Sequence, residues 1–484
     1  METVVNGANT GWVLICAALV LLMTPGLAFF YGGMSRSKSV LNMLMMSFTA
    51  LGLVSVMWVL YGYSIAFGES QGGLFGFSPG LLGLDDLVRN VTVDSAEEGV
   101  VNTFGLPDLA FSAFQMMFAV ITVALISGAI ADRTKFGGWV AFVILWASLV
   151  YFPVAHWVFA FGVAEEGGEG AGASAGLFAA DSGGWIVNRL GALDFAGGTA
   201  VHINAGAAAL ALIIVLGKRK GFGKEPMRPH NLPLVMLGTG LLWFGWFGFN
   251  AGSALAANGL ASLAFVNTQV ATAAALLAWI GTERLRDGHA TTLGAASGAV
   301  AGLVAITPAC GAVSPVFAVL IGLIAGGACC LAVTFKHRLG YDDSFDVVGV
   351  HLVGGLVGTL MIGMVGDEEF AAGSNGLLLG GGVDLLVRQA TAAFAVLGYS
   401  FVVTLLIAYL IKVTIGLRVS EEHEVTGIDQ SVHAETAYEL MGGMGGMGGS
   451  GSPPPGSGTR PKLMKGGAGA EAADKTETTE TVPS

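Results

Sequence analysis

Charged side chains are what this chain has least of. They make up 12% of its 484 residues, against about a quarter in an ordinary soluble domain. So few charges cannot cover a surface that faces water on all sides, so the expected solvent is lipid. Cysteine is nearly missing too. Cys16, Cys310, Cys329 and Cys330 all lie in apolar stretches, with no CxxC or Cys/His ligand spacing. That excludes a disulfide framework and a metal site, and leaves buried thiols. No basic stripe accompanies the net charge of −12, so nucleic acid is not an expected partner. No Lys or Arg precedes the first apolar run. A secretory signal needs a basic start, so that run is expected to be retained as a helix.

Glycine and long apolar runs are abundant. The 75 glycines follow no three-residue period, which excludes collagen and suits close helix contacts in a bilayer. Mean hydropathy is +0.71. Runs of about twenty apolar residues span a bilayer. Eleven occur, near 10–31, 40–67, 108–131, 137–162, 197–217, 231–252, 261–281, 291–310, 315–335, 346–366 and 384–413. With the N-terminus outside, the inner loops hold Arg36, Lys38, Arg133, Lys135, Lys218, Arg219, Lys220, Lys224, Arg228, Arg284, Arg286, Lys336 and Arg338. The outer loops hold essentially Arg89 and Arg189. That is the positive-inside asymmetry, and an odd helix count then places the C-terminus in the cytoplasm. The outer loops carry Glu69, Asp85, Asp86, Asp94, Glu97, Glu98, Glu165, Glu166, Glu169 and Asp181. Such acidic mouths concentrate cations, although each charge alone reads more readily as a solvated loop residue. The expected organisation is an all-α transmembrane domain over 1–415, a cytoplasmic segment over 416–440 and a disordered tail over 441–484. The tail is Gly-, Met- and Pro-rich and cannot bury a core.

Two segments resemble each other. Asp194-Phe-Ala-Gly-Gly-Thr-Ala-Val-His202 opens the fifth run, and Asp343-Ser-Phe-Asp-Val-Val-Gly-Val-His351 opens the tenth. Each reads Asp, seven residues, His, then a glycine four residues on, at Gly206 and Gly355. The two runs enter from opposite sides. This is the pattern of an inverted five-plus-five repeat with a site between its halves. A lone histidine in an apolar helix is usually satisfied by a neighbouring carbonyl. Two at equivalent positions point to function, because facing imidazoles offer a donor and an acceptor to a small amine or to a proton.

At these residues the sequence resembles the Amt/Mep/Rh ammonium transporter family. The 194–202 segment is similar to its motif DFAGGxxVHI. Further matches are Pro25–Gly33, Phe114–Thr122, Gly245–Ser253, Ala264–Thr268, Thr307–Gly311, Asp342–His351, and Gly416–Val419 followed by Glu421 and Glu422. Together they cover roughly residues 10–440. The resemblance implies a multi-pass protein of the plasma or inner membrane, forming a homotrimer with one pore per subunit. It implies transport of ammonium, or of ammonia with a separately carried proton, and no enzymatic activity, metal or other cofactor. Carried onto this chain, His202 and His351 are the pore and proton-relay pair. Phe118 and Phe249 form the gate, and Phe114, Phe159, Ser253 and Asp194 the recruitment site. The PII-type signal proteins of the family dock at the cytoplasmic face, which assigns Gly416–Tyr438 as the docking segment.

A bare cation entering low dielectric costs on the order of 20 kcal/mol by the Born estimate. Aromatic faces return about 0.5–2 kcal/mol each. A hydroxyl such as Ser253 adds a bond, if it is not simply back-bonded to its own helix. The shortfall favours deprotonation before the apolar constriction. Asp194 reads equally as an organiser of the vestibule and as a helix cap. Relatives often carry tryptophan where Val154-Ala-His-Trp-Val-Phe159 has Phe159, so Phe159, Trp157 and Trp185 all remain open as the recruiting ring. Asp132 stands where relatives often have Glu. An ammonium sensor signalling through a cytoplasmic partner is the second reading. The third, an intramembrane hydrolase, lacks an HExxH pair and a second acid near a nucleophile.

Overall fold

The computed structural model describes residues 5–89, 105–161 and 183–438. The expectations for Asp94, Glu97, Glu98, Glu165, Glu166, Glu169, Asp181 and the tail 441–484 lie outside these residues.

The regular structure among the described residues is helical apart from one ribbon. In order come α1 (Gly7–Met34), α2 (Val40–Phe67), α3 (Asp108–Ile130), α4 (Phe136–Phe159), α5 (Gly198–Leu216), α6 (Leu232–Gly252) and α7 (Gly259–Asp287). There follow α8 (Thr292–Ile306), α9 (Pro315–Leu339), α10 (Val348–Val365), α11 (Asp384–Thr414) and the short α12 (Glu421–Thr426). The ribbon pairs β1 (Ser70–Gln71) with β2 (Phe75–Gly76) in antiparallel register.

Among the described residues, ten helices are long and apolar enough to cross a membrane. The run expected over 291–310 divides. Its helix α8 ends after 15 residues, about 22 Å at 1.5 Å per residue, short of the hydrocarbon core. The cause is Pro308, which has no N–H to extend the ladder. Turns follow, Ala309 bonding to Ile306 and Ala312 to Ala309. The freed Pro308 carbonyl accepts from Phe195 N–H at 3.1 Å and anchors the stretch before α5.

Local chemistry sets the boundaries. Asn6, Asn231, Asn258 and Thr291 accept backbone N–H groups at the starts of α1, α6, α7 and α8, each worth about 1 kcal/mol. α7 and α9 end at Gly288 and Gly340, which take left-handed φ of 83° and 72°. The same two helices touch closely along their length. A Cβ on Gly322 or Gly326 of α9 would lie 2.2 Å from the carbonyl oxygen of Ala271 or Ala275 of α7. Polar residues such as Thr122, Asn204, Asn250, Thr268 and Gln389 face inward and are buried, while Val56, Phe244, Val316, Leu406 and others are exposed. That inversion is stable only in an apolar solvent.

Five connections meet at one end. Arg36 after α1 pairs with Asp132 after α3 at 3.1 Å, and Arg219 after α5 pairs with Asp342 after α9 at 2.8 Å. Arg133 is fully buried and bonds to the carbonyls of Ala129, Ala131, Gly217 and Asp342. The chain after α11 lies across this network. Lys135 N–H donates to Leu417 and Val419 N–H to Arg133, and buried Glu424 takes Arg418 at 2.7 Å. Farther on, the Asp429 carboxylate accepts Leu41 N–H at 3.0 Å and Asn42 N–H at 2.8 Å, capping α2.

Candidate functional site

The stretch 191–197 turns into α5 at Gly197, whose φ of 115° suits glycine alone. Asp194 folds back over that turn. Its Oδ1 accepts Gly197 and Gly198 N–H at 2.8 and 2.6 Å, and its Oδ2 accepts Thr199 and Ala200 N–H at 2.7 and 3.1 Å, plus the Thr199 hydroxyl. Five donors occupy the carboxylate. Of the two readings left open above, the geometry is that of a cap, and a negative charge suits the positive end of the helix. The first turns of α5, Gly198–Ile203, are a wide π turn that carries His202.

The tenth helix repeats the design from the opposite end. Asp343 accepts Val347 and Val348 N–H at 3.1 and 2.7 Å. The π turn Val348–Leu352 carries His351. Asp346 occupies a left-handed φ of 63° and pairs with Lys336 at 2.5 Å. Burial, and then the Asp346 charge, push the Asp343 carboxyl up to about 6, against the pull of Lys336. A raised native pKa means that the fold holds a proton the unfolded chain releases near 3.9. Stability therefore falls as pH rises from about 4 to about 6 and levels off above, by at most on the order of 3 kcal/mol. Thermal melts of wild type against Asp343→Asn, across that window, should show the wild type losing ground as pH rises. The opposite slope would refute this account.

The two histidines meet. Nδ1 of His351 and Nδ1 of His202 stand 3.2 Å apart, with ring centroids 5.3 Å apart, and both rings are buried. One shared hydrogen satisfies both atoms, which leaves a ring nitrogen of His202, Nε2, buried without a protein partner. Trp246 stacks on His202 at 5.3 Å. Phe249, three residues farther along α6, lies 6.2 Å from His202. Phe118 stacks on Phe249 at 4.1 Å and 18°. Phe114 and Phe159 stand edge-on to Phe118 at 4.9 and 6.2 Å. A continuous row of rings therefore runs from Phe114 and Phe159, through Phe118 and Phe249, to His202 and His351.

The other aromatic candidates lie elsewhere. Trp157 packs on Trp185 at 5.7 Å and on Tyr399 at 4.7 Å, and donates to the Leu74 carbonyl at 2.6 Å. Neither tryptophan has a ring contact with Phe118. Phe159, two residues from Trp157, points to the opposite face of α4, toward Phe118. Ser253 Oγ donates to the Phe249 carbonyl at 2.9 Å, a back-bond within its own helix. Trp246 was not singled out from the sequence. Its spacing, three residues before Phe249 on a helix, places the two on one face.

Gly-x-Ser-x-Gly strings occur at 68–72 and at 172–176, the second outside the described residues. The first sets Ser70 Oγ 2.9 Å from His156 Nε2. No acid holds this ring, because His156 Nδ1 faces the Ala66 carbonyl. Ser70 also sits in a two-residue ribbon, not in the strand–turn–helix of a hydrolase elbow. No group of three or more His, Cys, Asp and Glu able to hold a metal occurs among the described residues.

The comparisons agree with one another. The family model of the Ammonium Transporter Family matches residues 11–438. An ammonium transporter of Mycobacterium tuberculosis is 58% identical over 447 residues, covering 90% of this chain and 91% of the relative. One from Bacillus subtilis is 44% identical over 443 residues, covering 89% and 98%. Among solved structures, a protein described as a sensor Amt protein aligns with TM-score 0.76 and 30% identity, over 88% of this chain and 98% of that one. Mep2 of Saccharomyces cerevisiae aligns with TM-score 0.74 and 32% identity, over 86% and 88%. The family is one of transporters and not of enzymes, and these apolar helices are those of a multi-pass membrane protein. The chain belongs to the ammonium transporter family.

Proposed function

We propose that this chain moves ammonium across the cell membrane along the ring row, and that ammonium gives up its proton to water in the mouth before the Phe118–Phe249 stack. The supporting observation is the 3.2 Å contact of His202 and His351 at the inner end of that row. Phe114, Phe159 and Ser253, whose lone pairs stay free to accept, form the recruiting mouth, and Asp194 shapes it indirectly by capping α5. Phe118 and Phe249 are the gate, and His202 and His351 accept ammonia and relay the proton. Stacked rings 4.1 Å apart leave no room for a hydrated ion and must part for ammonia. A potassium ion has no proton to give up, so the same barrier selects against it.

On this reading α8 completes an eleventh crossing with the turns that follow it. Helices one to five and six to ten form an inverted repeat, and three copies associate. The N-terminus is outside and the Arg36–Arg219 end is cytoplasmic. The segment 416–440 regulates, with 416–438 offered to a PII-type partner. A sensing role is the second reading, supported by the likeness to the protein described as a sensor.

The test is charge movement. Purified protein in potassium-tight liposomes receives an ammonium jump while current and internal pH are recorded. A wild-type current, absent with potassium and reduced at least tenfold in the His202→Ala, His351→Ala double variant, is expected. A rise in internal pH without current refutes the relay but not conduction. Neither signal refutes conduction and leaves sensing. A further expectation concerns Phe159→Trp. A tryptophan face attracts cations more strongly, by about 0.5–1 kcal/mol, so the half-saturating ammonium concentration should fall about two- to fivefold with little change in maximal flux. An unchanged value would remove Phe159 from the mouth.

A further inference from the structure

His156 is buried in the last turn of α4 and takes no part in the ring row. Both of its nitrogens are engaged. Nδ1 stands 3.0 Å from the Ala66 carbonyl of α2, and Nε2 stands 2.9 Å from Ser70 Oγ. Ser70 Oγ donates to the Gly183 carbonyl at 2.8 Å and accepts Gly73 N–H at 3.1 Å.

The hydrogens can be counted. A carbonyl only accepts, so the Ala66 contact needs a proton on Nδ1. The Gly183 carbonyl also only accepts, and it takes the single hydroxyl hydrogen of Ser70. Ser70 is left with lone pairs alone, so Nε2 needs a proton as well. All four bonds close only around an imidazolium. A neutral ring opens one of them. Either Ser70 turns its hydrogen to Nε2 and Gly183 loses its donor, or Nδ1 meets Ala66 lone pair to lone pair.

We propose that His156 and Ser70 form a proton-operated tie at the outer rim. When protonated, the ring holds the β1–β2 ribbon and the segment 183–190 onto the end of α4. When neutral, it releases Gly183.

The segments held are built to respond together. Gly184 N–H donates to the Ala160 carbonyl at 2.9 Å, and a Cβ there would lie 1.9 Å from the His156 carbonyl oxygen. Trp185 N–H donates to Gly73 at 3.1 Å, and Arg189 donates to the Gly72 carbonyl at 3.2 Å. Ala160 follows Phe159, so the tie closes over the outermost ring of the row. The titratable side chains on the elements packed around α4 here are Tyr61, Tyr63, Glu69, Asp108, Tyr151, Arg189, Asp194, His202, Asp384, Arg388 and Tyr399. None is bonded to the His156 ring, and the Asp194 oxygens are filled by their own helix. No carboxylate therefore neutralises the imidazolium, which depends on its two charge-assisted bonds.

The test is hydrogen exchange of the full chain in lipid nanodiscs between about pH 4 and 8, a range that covers the ordinary histidine titration and extends below it, corrected for intrinsic exchange. Loss of one buried bond corresponds to about tenfold in opening. Protection of peptides over 68–76 and 183–190 should therefore rise about tenfold toward acid, while an α1 peptide does not change. The step should vanish in His156→Gln and in Ser70→Ala. The second variant keeps the ring in place and decides the matter if the first fails to fold. Absence of the step in wild type, or its persistence in Ser70→Ala, overturns the tie. Neither readout depends on the conduction route.

Discussion

Replacing Asp194 by alanine should remove most of the folded protein. Four backbone N–H groups and one hydroxyl lose their acceptor at once, in a place where Asp194 is 8% exposed and water is scarce. A single buried donor left unpaired costs about 1–3 kcal/mol. Even with partial relaxation the sum is on the order of 5 kcal/mol, comparable to the whole stability of a small domain. Asp194→Asn keeps one oxygen and should recover roughly half of the loss. Solubilised yield and melting temperature measure it. Wild-type melting of the alanine variant would show that the cap contributes nothing.

The second large effect is expected at the opposite end. Asp342 receives Arg219 through Nε at 2.9 Å, NH2 at 2.8 Å and backbone N–H at 2.7 Å, with Arg133 at 3.9 Å. Burial alone would raise this carboxyl, but the Arg219 bonds and the two guanidinium charges hold it below its ordinary value. Asp342→Ala leaves Arg219 with Asp132 alone, at 3.4 Å, and Arg133 with carbonyls alone, and should cost about 3–5 kcal/mol. The double variant Asp342→Ala, Arg219→Leu should be more stable than the single one, because one weakly paired charge is gone. Double-mutant melting curves decide. If the two losses simply add, the pair does not act as a unit. The sign with pH is fixed. A lowered native pKa gives stability that is present above about 4 and is lost as pH falls below it, so the wild-type advantage over the alanine variant should hold at neutral pH and shrink in acid.

Much of this architecture is legible in the residues. The spacing Asp194 to His202, repeated from Asp343 to His351, already suggests that the two histidines belong together, and their rings do meet. Phe114 and Phe118 share a helix face by their spacing of four. Side-chain direction at a helix end is harder to read. Trp157 and Phe159 differ by two residues, so they must point apart, but which one faces Phe118 depends on how α4 is rotated. That rotation includes the π turn Ala147–Tyr151, and nothing in the local sequence announces it. The break at Pro308 was hidden by its apolar neighbours, which keep hydropathy high while the ladder ends. The His156–Ser70 contact joins positions 86 residues apart and rests on hydrogen counting that needs coordinates.

The Asp429 cap on α2 bears on the order of synthesis. Leu41 and Asn42 emerge early, but the carboxylate that takes their N–H groups lies 388 and 387 positions later. Throughout translation and insertion, the start of α2 therefore carries donors that only water or lipid headgroups can satisfy. The stretch around Asp429 closes the second helix. A ribosome that stopped after Thr414 would release a product with all its long apolar helices in place and this helix still open. The cap thus distinguishes a finished chain from a truncated one at this end of the bundle.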